Sequence, residues 1–349
     1  SGVWIMAYTT IDDPSAHFNT VLYTGNGADN RSITGVGFQP DWVWYKERNN
    51  AIDHRLVDST RGATKLLFSN DTDAEFTDAN ELQAFESDGF QVGDDGSING
   101  NNDTYVAWNW KANGGTTSSN TDGSITSTVQ ANTTAGFSIV TYTGTGSNAT
   151  IGHGLGATPK TYWIKRRSSG TADWYIYHSS IGATKNLRLN KTNASSTDSG
   201  IFNDTEPTSS VFSLGSSFSN TSSKDYVAYC FAEKQGYSKF GTYTGNGSSD
   251  GPFAYTGFKS AWLMIKRTDS TNHWTLQDNA RESSNVVQKF LLANEDDAED
   301  TSAGQDLDFL SNGFKIRNSN TRQNASGGSY IFMAFAEHPF VSSEGVPVT

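Results

Sequence analysis

The sequence predicts an all-β protein made of three tandem β-sandwich repeats, jelly-roll-like and about 100 residues each. Three observations predict it. First, the motif Tyr23-Thr24-Gly25-Asn26-Gly27 returns as Tyr142-Thr143-Gly144-Thr145-Gly146 and as Tyr243-Thr244-Gly245-Asn246-Gly247. Second, the composition joins β-favouring aromatics (Trp 9, Tyr 14, Phe 20) to turn formers (Gly 34) while apolar residues are only 35%. Third, no window carries an apolar repeat of helical period, and no run approaches the ~18–20 apolar residues of a membrane span.

Residues 1–17 form an N-terminal arm with an Asp12-Asp13-Pro14-Ser15 turn. Met6 looks like a natural start, with Ser1 to Ile5 ahead of it as a remnant or an upstream extension. The first repeat spans 18–113. Its strand Trp42-Val43-Trp44-Tyr45-Lys46 is apolar on both faces, so it lies inside a sandwich or under a neighbouring domain. Residues 114–135 are small and polar and read as a linker or an exposed excursion. The second repeat spans 136–234, the third 235–340, and 341–349 is a C-terminal tail. Landmarks recur in the same order. The same two intervals separate Tyr23, Tyr142 and Tyr243 as separate Lys46, Lys165 and Lys266. Ser59…Gly62-Ala63-Thr64-Lys65 matches Ser179…Gly182-Ala183-Thr184-Lys185, and more loosely Arg281…Lys289. Tyr105-Val106-Ala107 matches Tyr226-Val227-Ala228 and Tyr330-Ile331-Phe332.

Little in the chain calls for catalysis. There is no Gly-x-Ser-x-Gly elbow, and the six histidines have no metal-ligand spacing. The glycine motif is a turn, since no third glycine or helix follows it. A formal net charge of −12 opposes a nucleic-acid backbone. The single cysteine, Cys230, excludes an internal disulfide framework and reads as a buried apolar residue. The chain is therefore expected to fold without oxidation, as a protein assembled in a cytoplasm would. No cofactor and no bound metal are expected.

Two features have a bland reading and a sharper one. The acidic loops of 70–81 and 294–308 read first as solvated turns, with calcium binding as the alternative. The second repeat lacks these acids at Asn190-Lys191-Thr192-Asn193-Ala194-Ser195, so it serves as an internal control. Core packing is the leading role for the tryptophans. At Trp174-Tyr175 and at Trp274…Asp278, polar neighbours leave sugar stacking open, so Trp174, Tyr175, Trp274 and Asp278 are the candidate ligand-binding residues. Lys46, Lys165 and Lys266 are expected to lay their stems over the core edge with the ammonium in water. Lys165-Arg166-Arg167 reads as an isolated surface cluster, with pairing to an acidic loop as the alternative.

The run formed by residues 23–27, 37–44, 58–65 and 105–111 resembles a domain family of uncharacterised function. That family occurs in structural proteins of tailed bacteriophages, marine ones in particular. The likeness covers nearly the whole chain, loosely in the third repeat. It implies a non-enzymatic virion surface protein: a tail fibre, a receptor-binding protein, or a capsid or tail decoration. The implied partners are other virion proteins, further copies of itself (a trimer in a fibre) and host-surface glycan. Virion proteins assemble in the host cytoplasm. The alternatives are a tail polysaccharide depolymerase and a cellular surface adhesin or filament protein. The family motifs carry no known chemistry, so the resemblance transfers no site residue.

Overall fold

The computed structural model describes residues 8–302 and 304–348. The expectations about Ser1 to Ile5 and the start at Met6 lie outside the described residues. The chain is all-β, arranged in several open sheets, none closed on itself.

Three large antiparallel sheets share one strand path. In the first, Phe18–Thr24 pairs with Thr104–Trp110, followed by Trp42–Glu47, Arg55–Asp58 and Lys65–Phe68. The second runs Phe137–Thr143, Asp225–Phe231, Thr161–Arg166, Tyr175–His178 and Lys185–Arg188. The third runs Ser238–Thr244, Ser329–Pro339, Phe258–Arg267, Trp274–Asp278 and Leu291–Leu292. The registers coincide at the motif tyrosines, which face Tyr105, Tyr226 and Tyr330 in turn.

Each large sheet is covered on its outer face by a small sheet over a core of its own, giving sandwich-like layering. In the first case the cover is Arg31–Thr34, Gly89–Val92 and Leu82–Glu86, packed on Val43, Tyr45 and Val57. The inner faces of all three large sheets meet in one shared core. Strand alternation sorts the side chains: Trp42 and Trp44 point inward while Val43 and Tyr45 point outward. This is why the tryptophan strands are apolar on both faces. Trp42 lies 4.3 Å from Trp110 and 4.4 Å from Tyr229, ring centre to ring centre, and 5.8 Å from Trp163. Trp110 in turn lies 5.6 Å from Trp262. The aromatic-rich composition is thus concentrated where three sheets converge.

The glycine motif is the same small device three times. Tyr23, Tyr142 and Tyr243 stack on Tyr105, Tyr226 and Tyr330 at 5.0, 5.0 and 4.9 Å. Their hydroxyls donate to Ile98 O, Ser219 O and Gln323 O. A buried asparagine, Asn99, Asn220 or Asn324, accepts the N–H of the residue after the first glycine and, through its own carbonyl, that of the second. The first glycine has no room for a side chain. A Cβ on Gly25, Gly144 or Gly245 would stand 2.0, 2.3 or 2.3 Å from a backbone carbonyl oxygen. Gly245→Ala is therefore expected to cost about 1–3 kcal/mol through forced backbone movement, read as a lower urea midpoint. Gly327→Ala, with open space at its Cβ but a φ of +72°, separates conformational strain from collision.

Two sequence expectations change here. Residues 114–135 are not a free linker. Ser118–Asn120 and Ser127–Asn132 extend the second sheet by two strands, Ser118–Asn120 outermost. Polar residues sit there because Gln130, fully buried, accepts from Asn113 N and Gly115 N and donates to the Ser59 and Thr60 hydroxyls. In the N-terminal arm, Ile11 enters the shared core. Cys230 is buried as expected, and burial raises its thiol well above the ordinary range.

Candidate functional site: three junctions around the shared core

The chemistry-bearing side chains collect at the three seams between large sheets. Each seam carries a main-chain bond in the same place: Glu75 N to Arg167 O at 2.9 Å, Ser195 N to Thr268 O at 2.9 Å, and Glu299 N to Arg48 O at 2.7 Å. The first two seams add a second, Ala172 N to Thr72 O and Asn272 N to Thr192 O, each at 2.8 Å. The first sheet thus meets the second, the second the third, and the third the first.

At the first seam Arg61 is fully buried. Its Nε pairs with Asp58, its Nη1 with Glu75 at 3.1 Å, and its Nη2 donates to Leu56 O and to the Tyr229 hydroxyl. Tyr229, from the second sheet, donates to Asp58 at 2.8 Å. Glu75 also takes Arg167 at 2.8 Å. The third-to-first seam repeats this. Arg281 pairs with Asp278 at 2.6 Å and Glu299 at 3.0 Å, Trp108 Nε1 donates to Asp278 at 3.0 Å, and Arg48 meets Glu299 at 2.8 Å. Burial alone would push the Glu75 and Glu299 carboxyls up. Their paired guanidiniums overcome it and hold both below the ordinary range. The corresponding positions of the second sheet are His178, Ile181 and Ser195, and His178 shares a small void with Met333, which has no proton to donate. That seam carries no buried ion pair among the described residues.

This arrangement explains one acid in each acidic loop. Glu75 and Glu299 are counter-ions for buried arginines, and the loop without acids belongs to the sheet that has Ile181 instead. The carboxylates that could converge on a metal, among the described residues, are Asp78, Glu81 and Asp95. Of these Glu81 already accepts from Arg55 Nε and from the Tyr45 hydroxyl. The Lys165-Arg166-Arg167 cluster is likewise resolved: Arg167 pairs with Glu75, and Lys165 is buried.

The lysines are not in water. Lys46, Lys165 and Lys266 are each 0% exposed. Lys165 Nζ donates to Ala172 O at 2.6 Å and lies 3.4 Å from Asp71 O across the seam. Lys266 Nζ donates to Asn272 O at 2.7 Å and to Thr192 O at 3.0 Å. Burial lowers their ammonium pKa to about 8 for Lys46 and about 7 for Lys165 and Lys266. The stem reading failed because loop carbonyls cover the tip: those of its own loop, Glu47 O and Asn50 O, at Lys46, and one from the adjoining sheet as well at Lys165 and Lys266.

The four candidate sugar residues do not form one site. Trp174 is 0% exposed, donates Nε1 to Phe68 O of the first sheet at 2.7 Å, and lies under Lys165. Trp274, 1% exposed, donates to Arg188 O of the second sheet at 2.9 Å. Tyr175 points to the opposite face of its strand, under Arg188 and against Phe218. Asp278 is locked to Arg281. No ring face among these residues is free for a sugar, because each is spent on holding two sheets or two layers together. Reading the sequence also missed Asn99, Asn220 and Asn324. The signal was present: each stands six residues before Tyr105, Tyr226 or Tyr330.

Residues 13–339 match the model of a domain family described only as a domain of unknown function, DUF7483. The chain belongs to that family. No curated protein and no solved structure matches it. The DUF7483 match takes in all three large sheets and all three seams, so the domain is the whole ring of sheets and not one sandwich within it.

Proposed function

We propose that this DUF7483 chain is a non-enzymatic surface protein of a tailed-phage particle. In this reading three copies of one sandwich unit, about 100 residues each, form a rigid body of near-threefold symmetry within a single chain. The observation that carries it is the set of three congruent main-chain bonds at the seams. A body with three like faces suits a threefold position of a symmetric assembly, where one copy can touch three equivalent neighbours. A homotrimer is not needed to make such a shape. The likeness of the sequence motifs to tailed-phage structural proteins supplies the setting. Against a depolymerase stands the state of the seam acids: Asp58, Glu75, Asp278 and Glu299 are each tied to an arginine. A glycosidase needs one carboxyl held protonated and free to face its substrate.

Electron microscopy of purified particles labelled with an antibody to this chain tests the proposal. Label at threefold positions of the capsid or along the tail axis is the expected result. Label only on host cells, or none on any particle, overturns it.

A further inference from the structure

We propose that the cleft walled by Tyr8 and Tyr255, on the outside of the third sheet, binds one unit of a neutral saccharide. The cleft has a volume of about 240 Å³ and is lined also by Glu233, Gln235, Ser238 and Lys239. Tyr255 is 53% exposed and Phe253, two residues earlier on the same strand face, is 45% exposed. Strand pairing by itself does not call for aromatic rings here, although Phe253 also packs over Gly313 and the Tyr255 hydroxyl meets that of Tyr8. Phe253 faces Lys315 and Tyr255 faces Gly313. The same register in the first small sheet places Ser32 opposite Gln91 and Thr34 opposite Gly89. Both strands bury their central residue and expose the flanking two, so Ser and Thr suffice for the fold at positions where the third sheet displays Phe and Tyr.

The polar lining matches hydroxyl groups. Gln235 is exposed and its side-chain amide makes no hydrogen bond among the described residues, so a donor and an acceptor are both available. Glu233 and Lys239 pair at 2.7 Å, which leaves acceptor and donor capacity with no net charge. The Tyr8 and Tyr255 hydroxyls lie 3.1 Å apart, and Tyr8 donates to Gly257 O, so the two rings are held in place before any ligand arrives. An exposed aromatic beside convergent, charge-balanced polar groups is what recognises the apolar face and hydroxyl rim of a pyranose. In the field of a −12 chain an anionic sugar is disfavoured. Phe253, roughly 7 Å along the strand, offers a platform to the next unit of an oligosaccharide.

The test is saturation-transfer NMR on the purified chain with glucose, galactose, mannose and N-acetylglucosamine, and with glucuronic acid as the charged comparator. Sugar binding by the pure protein is independent of particle attachment, so it can fail while the antibody label succeeds, and the reverse. The expected result is saturable transfer from at least one neutral sugar in the millimolar range and weaker transfer from the uronic acid. Affinity should fall about tenfold in Tyr255→Ala, fall in Gln235→Ala, and stay unchanged in Phe76→Ala, another exposed aromatic. Tyr255 is exposed, so an unaltered emission spectrum of the buried tryptophans checks that the variant is folded. No transfer from any neutral sugar at tens of millimolar overturns the proposal, as does equal binding by Tyr255→Ala and wild type.

Discussion

Replacing Arg281 with Ile lowers the unfolding free energy by about 3–5 kcal/mol, measured as a shift of the urea midpoint at pH 7. The guanidinium is fully buried, and the residue serves four acceptors: Asp278 Oδ1 through its backbone N–H, Asp278 Oδ2 through Nε, Glu299 through Nη1 and Leu276 O through Nη2. Asp278 and Glu299 are themselves 0% and 6% exposed at the side chain. Removing the cation strands a carboxylate, Asp278, with only Trp108 Nε1 and the residue 281 backbone N–H as donors, and takes one of two cations from Glu299. The second sheet supplies the rescue, because it carries His178, Ile181 and Ser195 at these positions and folds into the same ring. Arg281→Ile combined with Asp278→His, Glu299→Ser and Arg48→Thr, the last because the apolar seam has Thr268 where Arg48 stands, is therefore expected to recover most of the loss. A quadruple variant as unstable as the single one would mean that the charged seams and the apolar seam are not interchangeable solutions to one packing problem.

What was legible in the sequence follows from the range of the forces involved. The tyrosine–glycine motif could be read because its constraint is local: a backbone carbonyl fills the space of a Cβ, so only glycine stands at Gly25, Gly144 and Gly245. The two-sided apolar strands could be read because alternation converts burial on both faces directly into residue type. The seams could not be read in the same way. Trp174 and Trp274 are flanked by polar residues, and from inside their own segment that looks like a surface. The Asn190 and Asn294 side chains beside them accept the Trp174 and Trp274 backbone N–H groups, so the polar neighbours are themselves structural. Each ring's own partner, Phe68 O or Arg188 O, comes from the preceding sheet, far away in sequence. Lys165 and Lys266 misled for the same reason. One non-local signal was present. The loss of acids at Asn190 to Ser195 accompanies the change of Arg61 and Arg281 to Ile181, a covariation among the three matching stretches of a single chain that by itself points to an ion pair. The region 114–135 was unreadable on composition, since strands held by Gln130 and main-chain pairing need no aromatic anchor.

The apolar seam carries its own prediction, set by pH. His178 is 2% exposed, and burial holds its imidazole at about 4, with the Lys160 charge pushing the same way and the Phe332 main chain opposing it. Ser180 N–H donates to Nδ1 at 3.2 Å, so the neutral ring carries its proton on Nε2. That atom borders a small void lined by Met264, Trp274 and Met333, with only the Phe332 main chain to accept its proton, outside good hydrogen-bond geometry. The folded pKa lies below the unfolded value of 6.5, so the unfolded chain binds the extra proton throughout that window. Stability therefore rises with pH from about 4 to 6.5 and is lost as the pH falls through it. The interval between 6.5 and about 4, at about 1.36 kcal/mol per unit, is worth about 3 kcal/mol. His54, also buried and also lowered, acts in the same direction at the third-to-first seam, and the depressed Glu75 and Glu299 carboxyls add their losses at lower pH still. The wild-type slope is thus a sum, and His178→Met isolates one member of it. Urea unfolding of both proteins at about pH 7 and about pH 4 should show the variant losing about 3 kcal/mol less than wild type over that range. Equal losses would mean that the folded seam accepts the proton freely. In that case an imidazole titrating near 6.5 by NMR would place His178 in contact with water and not in the closed junction between the second and third sheets.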